Sequence, residues 1–172
     1  MAKRGFLARH RIVRNAIRED MLYFAIPAIL VLVAGMGLSG WDLVRRQESL
    51  FVFSVQSFVG IGLIVTGLTI ELVAQITLRH SYSSTLVIKE DHQLITHGIY
   101  RFIRHPIYLG ATIGLMGVAV YASSLYGLLA LSALIPVFLN RIRMEERLLI
   151  DEFGDAYRTY KEDTSKLIPF VY

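Results

Sequence analysis

The sequence predicts an all-α integral membrane protein with about four transmembrane helices, the last two forming a helical hairpin, and a C-terminal helical module on the cytosolic side. Two observations lead to this prediction. Hydrophobic residues make up 54% of the 172 residues and lie in long uninterrupted runs, which is typical of segments that cross a bilayer. Basic residues lie mainly between and beyond these runs. The chain has room for a single membrane domain, residues 1–172.

Four apolar runs account for the predicted helices. The first covers residues 21–40 and is expected to remain as an anchor, because the apolar core of a signal peptide has only about 7–15 residues. The second, residues 50–78, is longer than a bilayer needs. The third and fourth, residues 107–121 and 125–139, are shorter and are separated by a turn-like Ala-Ser-Ser at 122–124. Their spacing predicts a tight helical hairpin.

Small and helix-breaking residues indicate how these helices pack and end. Gly110 and Gly114 form the small-residue pattern that lets two membrane helices approach closely, and Gly117 lies next along the same run. Pro136 should kink the last span, because proline removes one backbone hydrogen bond. Gly154 is a natural stop for the helix that leaves the membrane.

The distribution of basic residues predicts the orientation. With four spans, the N-terminal tail, the 79–106 segment and the 140–172 tail lie on one side of the membrane, and together they hold 16 of the 18 Lys and Arg residues. The positive-inside rule assigns that side to the cytosol. Both termini and every candidate polar motif are therefore expected in the cytosol.

The composition excludes several kinds of site. The chain has no Cys, so disulfides, thiolate metal sites and cysteine nucleophiles are excluded. Its five His residues lie outside the apolar runs, whereas haem ligands in helical bundles usually come from within the spans. Their spacing also matches no metal-binding motif. We expect neither a bound metal nor a nucleic-acid partner.

Residues 91–108 form the first polar segment with chemical potential. Pro106 disfavours helical geometry at His105 but suits the first turn of the helix that follows. Arg104 and His105 are therefore expected at a helix N-terminus at the membrane surface. Free N–H groups and the positive end of the helix dipole favour a carboxylate or a phosphate at such a position.

A second cluster begins where the last span emerges. Arg141 and Glu145 are four residues apart and share a helical face. The simple interpretation is a snorkelling arginine in a surface ion pair of little energetic value. The functional interpretation is that both side chains point into a pocket shared with the His105 region. Glu71 and Gln75, near the end of the second apolar run, also have two interpretations. They either face solvent where that helix extends beyond the membrane or line a polar site.

Residues 98–110, Gly-Ile-Tyr-Arg-Phe-Ile-Arg-His-Pro-Ile-Tyr-Leu-Gly, resemble the hallmark segment of the isoprenylcysteine carboxyl methyltransferase family, which is related to membrane phospholipid N-methyltransferases. The tail resembles that family as well, in Arg141, Glu145-Glu146, Phe153-Gly154-Asp155-Ala156-Tyr157, Tyr160 and Leu167-Ile168-Pro169. The resemblance covers roughly residues 83–172, whereas residues 1–80 match only as generic spans. It implies a division into an N-terminal tail with two spans, residues 1–80, and a methyltransferase-like module, residues 81–172, with cofactor loop, hairpin and C-terminal helices.

The resemblance also implies a cytosol-facing pocket for S-adenosylmethionine, with S-adenosylhomocysteine as product, closed by the C-terminal helix and open laterally to lipid. Arg141 matches the substrate-side arginine of the family, and with Arg104 it is a candidate catalytic residue. The residues that match cofactor contacts by position are His92, Gln93, Leu94, Ile95, Tyr100, His105, Pro106, Ile107, Tyr108 and Glu145.

The function implied is methyl transfer to a hydrophobic or lipid-attached acceptor in the bilayer, most like isoprenylcysteine carboxyl O-methylation. Phospholipid N-methylation and methylation of small thiols remain open, because related modules serve those reactions. An NADPH-dependent reductase relative is another alternative, although the chain has no glycine-rich dinucleotide fingerprint. A non-catalytic membrane scaffold is the last. The sequence does not predict the oligomeric state.

Overall fold

The computed structural model describes residues 21–45, 54–78 and 94–168. In these ranges the chain forms helices and no strand, apart from a single parallel bridge between Ile103 and Ser165. In chain order the elements are a π-helical turn Met21–Ala25, α1 Ile26–Arg45, α2 Val55–Leu78, a 3-10 turn Gly98–Arg101, α3 Pro106–Tyr121, α4 Leu125–Ser132, α5 Leu134–Phe153 and α6 Asp155–Asp163.

The apolar helices confirm the predicted fold class, an all-α integral membrane protein. In the described ranges, Leu22–Arg45, Val55–Leu78 and Leu125–Phe153 are long and apolar enough to cross a membrane, with mean hydropathies of 2.1, 2.0 and 1.7. The remaining apolar helix, Pro106–Tyr121, has 16 residues and is shorter than a usual span. The count of four spans stays a prediction.

Large apolar side chains point outward along α1 and α2. Leu30, Val33 and Trp41 on α1, and Phe58 and Val65 on α2, are all more than half exposed. Side chains of this kind in contiguous bands are unfavourable in water and are stable against lipid.

Glycines bring α2 and α3 into close antiparallel contact. A Cβ atom on Gly67 would lie 2.5 Å from the carbonyl oxygen of Gly110, and one on Gly60 would lie 2.5 Å from the backbone nitrogen of Tyr121. Distances this short are not found for real Cβ atoms, so the two backbones meet only because side chains are missing there. The predicted close approach at Gly110 and Gly114 is confirmed, and its partner is α2.

The predicted hairpin is confirmed between α3 and α4. Ser124 caps α4 by accepting a hydrogen bond of 2.9 Å from the Gly127 N–H, and its hydroxyl donates to Asp42 Oδ2 on α1 at 2.6 Å. The last span is interrupted at Ala133, between α4 and α5. Pro136 accounts for the position of this break, since it has no N–H to donate to the carbonyl of Ser132.

Replacing Gly67 with alanine is expected to destabilise the protein. The new methyl group would strike the backbone of α3, and overpacking of this kind costs about 1–3 kcal/mol. Gly62→Ala, on the same helix but with open space around the site, is the matched control and should be neutral or slightly stabilising. Thermal unfolding of the detergent-solubilised variants, followed by circular dichroism, measures both. Equal midpoints for the two variants would contradict the glycine contact.

Candidate active site

Three parts of the chain meet where α3 begins and α5 passes its middle. The segment 104–108 contributes Arg104, His105 and Tyr108, and α5 contributes Arg141, Glu145 and Glu146. The third part is the segment after α5, residues 155–166, which we call the C-terminal clasp. These six side chains form one continuous network of hydrogen bonds and ion pairs.

Local backbone geometry sets the start of α3. Gly98 has a φ of 63°, which favours glycine, and begins the 3-10 turn. His105 has φ −126° and ψ 56°, outside the helical region, and Pro106 occupies the first turn of the helix. This is the geometry predicted from the proline. The His105 N–H donates to the carbonyl of Lys166 at 3.2 Å, so this backbone donor is already used by the C-terminal clasp.

Glu145 is the more open of two adjacent carboxylates. Its Oε1 accepts hydrogen bonds from the Tyr108 hydroxyl at 2.5 Å and from Arg141 Nε at 3.2 Å, and its Oε2 lies 3.6 Å from His105 Nδ1. The side chain of Glu145 is 26% exposed, whereas that of Arg141 is 2% exposed. The Glu145 side chain is therefore the more accessible of the pair.

Glu146 is buried and faces the other way. Its carboxylate lies 3.1 Å from Arg104 Nε, 3.3 Å from Lys161 Nζ and 3.5 Å from His105 Nε2. A buried carboxylate without an ion-pair partner would strongly destabilise the folded protein. The cationic side chains around Glu146 are therefore needed for α5 to pack here.

His105 lies between the two carboxylates. Burial lowers the pKa of His105, but the hydrogen bonds and negative charges of Glu145 and Glu146 outweigh it, so the pKa is raised above 6.5. The imidazole therefore holds its proton more firmly than an exposed histidine does. His105 thus links Glu145, on the partly exposed side of the network, to the buried Glu146.

The C-terminal clasp binds the segment that precedes α3. Arg104 Nη1 donates to the carbonyl oxygens of Lys161, at 2.9 Å, and of Thr164. The Arg104 N–H donates to the carbonyl of Ser165 at 2.9 Å, and the Tyr160 hydroxyl donates to the carbonyl of Tyr100 at 2.7 Å. Burial raises the pKa of Tyr160 to about 12, so this hydroxyl remains a donor at neutral pH.

Aromatic rings cover Arg141. The Phe24 ring, from the π-helical turn, lies 4.9 Å from Arg141 Cζ. Its centroid is 6.5 Å from that of Tyr108 and 6.2 Å from that of Phe138, and the latter two rings are 5.4 Å apart. Neither Phe24 nor Phe138 stands out in the sequence as a site residue, because each lies in a uniformly apolar run.

Most of the predicted site residues lie in or next to this network. Pro106 and Tyr100 are buried beside it, and Ile107, Leu94 and Ile95 are half-buried. His92 and Gln93 lie outside the described residues.

Glu71 does not line this network. Gln75 Nε2 donates to Glu71 Oε1 at 3.0 Å, and Glu71 packs beside Gly110. Gly110 and Tyr108 are two residues apart and so point to nearly opposite sides of α3.

Comparisons with known proteins identify the fold and the family. The model of the phospholipid methyltransferase family matches residues 55–156. The solved structure of a eukaryotic intramembrane Ras methyltransferase, isoprenylcysteine carboxyl methyltransferase, superposes with a TM-score of 0.68 at 24% identity, covering 86% of this chain and 52% of that chain. The likeness therefore begins well before residue 83, where the sequence motifs suggested that it starts.

Two curated relatives illustrate the range of chemistry in similar proteins. The protein-S-isoprenylcysteine O-methyltransferase of Schizosaccharomyces pombe is 32% identical over 124 residues, which cover 70% of this chain and 52% of the relative. Methanethiol S-methyltransferase 1 of Bradyrhizobium diazoefficiens is 38% identical over 146 residues, which cover 84% of this chain and 44% of the relative. This chain spans about half the length of these relatives. It belongs to the phospholipid methyltransferase family, and the resemblance to isoprenylcysteine carboxyl methyltransferases is confirmed.

Proposed function

We propose that this chain is an integral-membrane methyltransferase that uses S-adenosylmethionine to methylate the carboxylate of a hydrophobic or lipid-attached acceptor, such as an isoprenylcysteine. The observation that carries the proposal is the ion pair between a partly exposed glutamate, Glu145, and a buried arginine, Arg141. Family membership and the named methyltransferase relatives support it.

The open face of Glu145 suits the amino-acid end of the cofactor. Its carboxylate can accept from an ammonium group, and His105 and Tyr108 hold it in place. A bound cofactor would supply a methyl group on a positively charged sulfur. The remaining predicted contacts are the apolar or aromatic residues Leu94, Ile95, Tyr100, Pro106 and Ile107, together with His92 and Gln93. Surfaces of this kind suit a nucleoside.

Arg141 is proposed to orient the acceptor. A guanidinium recognises a carboxylate through two parallel hydrogen bonds, which fixes both position and direction. Because methyl transfer from a sulfonium to a carboxylate cancels opposite charges, a dry pocket favours it. Positioning and electrostatics then supply most of the catalysis.

The ion pairs of Glu146 favour a carboxylate over an amine or a thiol as the acceptor. A carboxylate is already ionised at neutral pH and needs no general base. Glu146 would be the obvious base for the other acceptors, but it is 5% exposed and is bound by Arg104 and Lys161. A buried carboxylate held by two cations is a weak base.

Arg104 is proposed to position the site. Its guanidinium contacts Glu146 and two carbonyl groups of the C-terminal clasp. Through these contacts it would hold α5 and the clasp against the start of α3, which differs from the catalytic role implied by the resemblance.

The acceptor is proposed to arrive from the bilayer, with the active site and both termini on the cytosolic side. The exposed apolar surfaces of α1 and α2 and the basic segments outside the spans support this orientation.

Glu145→Gln is expected to weaken binding of S-adenosylhomocysteine by about 10- to 100-fold, because a hydrogen bond to a charged group contributes about 1.5–3 kcal/mol. Isothermal titration calorimetry on the detergent-purified protein measures it. Glu152→Gln, which changes an exposed glutamate on the same helix, is the control and should bind like the wild type. Unchanged affinity in Glu145→Gln would contradict the cofactor role.

Arg141→Ala is expected to lower kcat/KM for an isoprenylcysteine carboxylate at least about 100-fold, because it removes the group that orients the acceptor. Affinity for S-adenosylhomocysteine should change far less than in Glu145→Gln. Arg141→Lys keeps the charge but loses the two-pronged geometry and should recover only part of the rate. Turnover by Arg141→Ala at the wild-type rate would rule out the acceptor role.

The pH dependence separates the acceptor classes. With N-acetyl-S-isoprenylcysteine, kcat/KM should not rise between pH 6 and 8, because a carboxylate with a pKa of about 3.5 is ionised throughout. With methanethiol, rate should rise about tenfold per pH unit, following the thiolate. Faster turnover of the thiol than of the isoprenylcysteine at neutral pH would move the proposal to S-methylation.

A further inference from the structure

Arg141, the residue proposed to receive the acceptor, is closed off by Phe24. The Arg141 side chain is 2% exposed, and the Phe24 ring lies 4.9 Å from its Cζ atom. Glu145 and Tyr108 hold the Nε edge through charge-assisted hydrogen bonds. To reach the guanidinium, an acceptor carboxylate has to displace either the Phe24 ring or the groups hydrogen-bonded to Nε. The ring is held more weakly, because a cation–π contact contributes less than a charge-assisted hydrogen bond.

The backbone that carries Phe24 is unusual for a membrane helix. Phe24 lies in the π-helical turn Met21–Ala25, and α1 follows directly with Pro27 in its first turn. Pro27 has no N–H to donate to the carbonyl of Tyr23, so a regular helical bond is missing beside Phe24. Turns of this width are less stable than α-helix and occur often at functional positions.

The rings that remain when Phe24 moves form an apolar slot. Tyr108 on α3 and Phe138 on α5 have centroids 5.4 Å apart and each packs against Phe24. Tyr108 also donates to Glu145, so this slot adjoins the proposed cofactor side. An apolar chain can replace the Phe24 ring here with little loss of buried hydrophobic area.

The outer side of the turn faces away from the protein. Leu22, Tyr23 and Ile26 are each between 44% and 60% exposed, in a helix apolar enough to lie in a membrane. Displacement of Phe24 would therefore open a path from the lipid-facing surface to Arg141.

We propose that Phe24 is a specificity-determining residue that admits to Arg141 only acceptors with an apolar chain able to take the place of its ring against Tyr108 and Phe138. A small carboxylate brings no such chain and leaves the ring on the guanidinium. The inference rests on the proposed function for the identity of the acceptor, but the covering of Arg141 can be tested without turnover.

The first experiment measures acceptor selectivity in Phe24→Ala and Phe24→Leu. The probes are two N-acetylcysteine thioethers, one with an isoprenyl chain and one with a methyl group. The ratio of their kcat/KM values should fall about tenfold or more in Phe24→Ala, mainly because the small acceptor is admitted. Phe24→Leu should give an intermediate ratio. Tyr23→Leu, on the same turn but with an exposed side chain, is the control and should keep the wild-type ratio.

The second experiment measures access to Arg141 directly. Phenylglyoxal modifies accessible guanidinium groups, and mass spectrometry of the detergent-solubilised protein resolves each arginine. Modification of Arg141, relative to the exposed Arg143 on the same helix, should be at least about fivefold faster in Phe24→Leu than in the wild type or Tyr23→Leu, in keeping with protection by a buried position.

The two readouts distinguish this inference from the proposed function. If neither acceptor is methylated by the wild type, the proposed function fails, while faster labelling of Arg141 in Phe24→Leu still supports the covering role. If Phe24→Leu labels like the wild type, or if turnover is normal and the selectivity ratio of Phe24→Leu matches that of Tyr23→Leu, Phe24 is only a packing residue and the inference is wrong.

Discussion

The rest of the site depends on one histidine placed between two adjacent glutamates, one partly exposed and one buried. Glu145 and Glu146 are consecutive on α5, so their side chains leave the helix about 100° apart. His105 lies between them, with Nδ1 3.6 Å from one carboxylate and Nε2 3.5 Å from the other. Because carboxylates away from solvent need partners, the position of α5 matches a start of α3 at which His105 lies within 3.6 Å of both glutamates. The start of α3 and the middle of α5 therefore define each other.

The glycine contact between α2 and α3 connects this charge network to the membrane helices. Gly67 and Gly110 allow α3 to lie directly on α2, and α3 begins one turn before Gly110, at Pro106. A shift of α3 along α2 would move His105 away from the glutamates. Backbone contact deep in the helices thus sets the spacing of charges at their end.

The parts of the site that sequence reasoning predicted depend on local rules. Pro106 restricts the backbone of His105, and a separation of four residues places Arg141 and Glu145 on one face, where they pair at 3.2 Å. Phe24 was not predicted, because nothing in an apolar run distinguishes a ring that faces an arginine from one that faces lipid. Thr164 was not predicted either: it binds Arg104 mainly through its backbone carbonyl, and a carbonyl carries no signal in the sequence.

The order of the chain has a consequence for biosynthesis. Glu146 lies on α5, but one of its ion-pair partners, Lys161, belongs to the C-terminal clasp. A second partner, Arg104, is itself held by carbonyl groups of the clasp. During translation the apolar helices leave the ribosome first, and the clasp follows them. Until the clasp docks, the Glu146 carboxylate lacks Lys161 and part of what holds Arg104. Folding of the apolar helices and docking of the C-terminal clasp are therefore separable steps, and a chain halted between them would have its helices in place but its charge network incomplete.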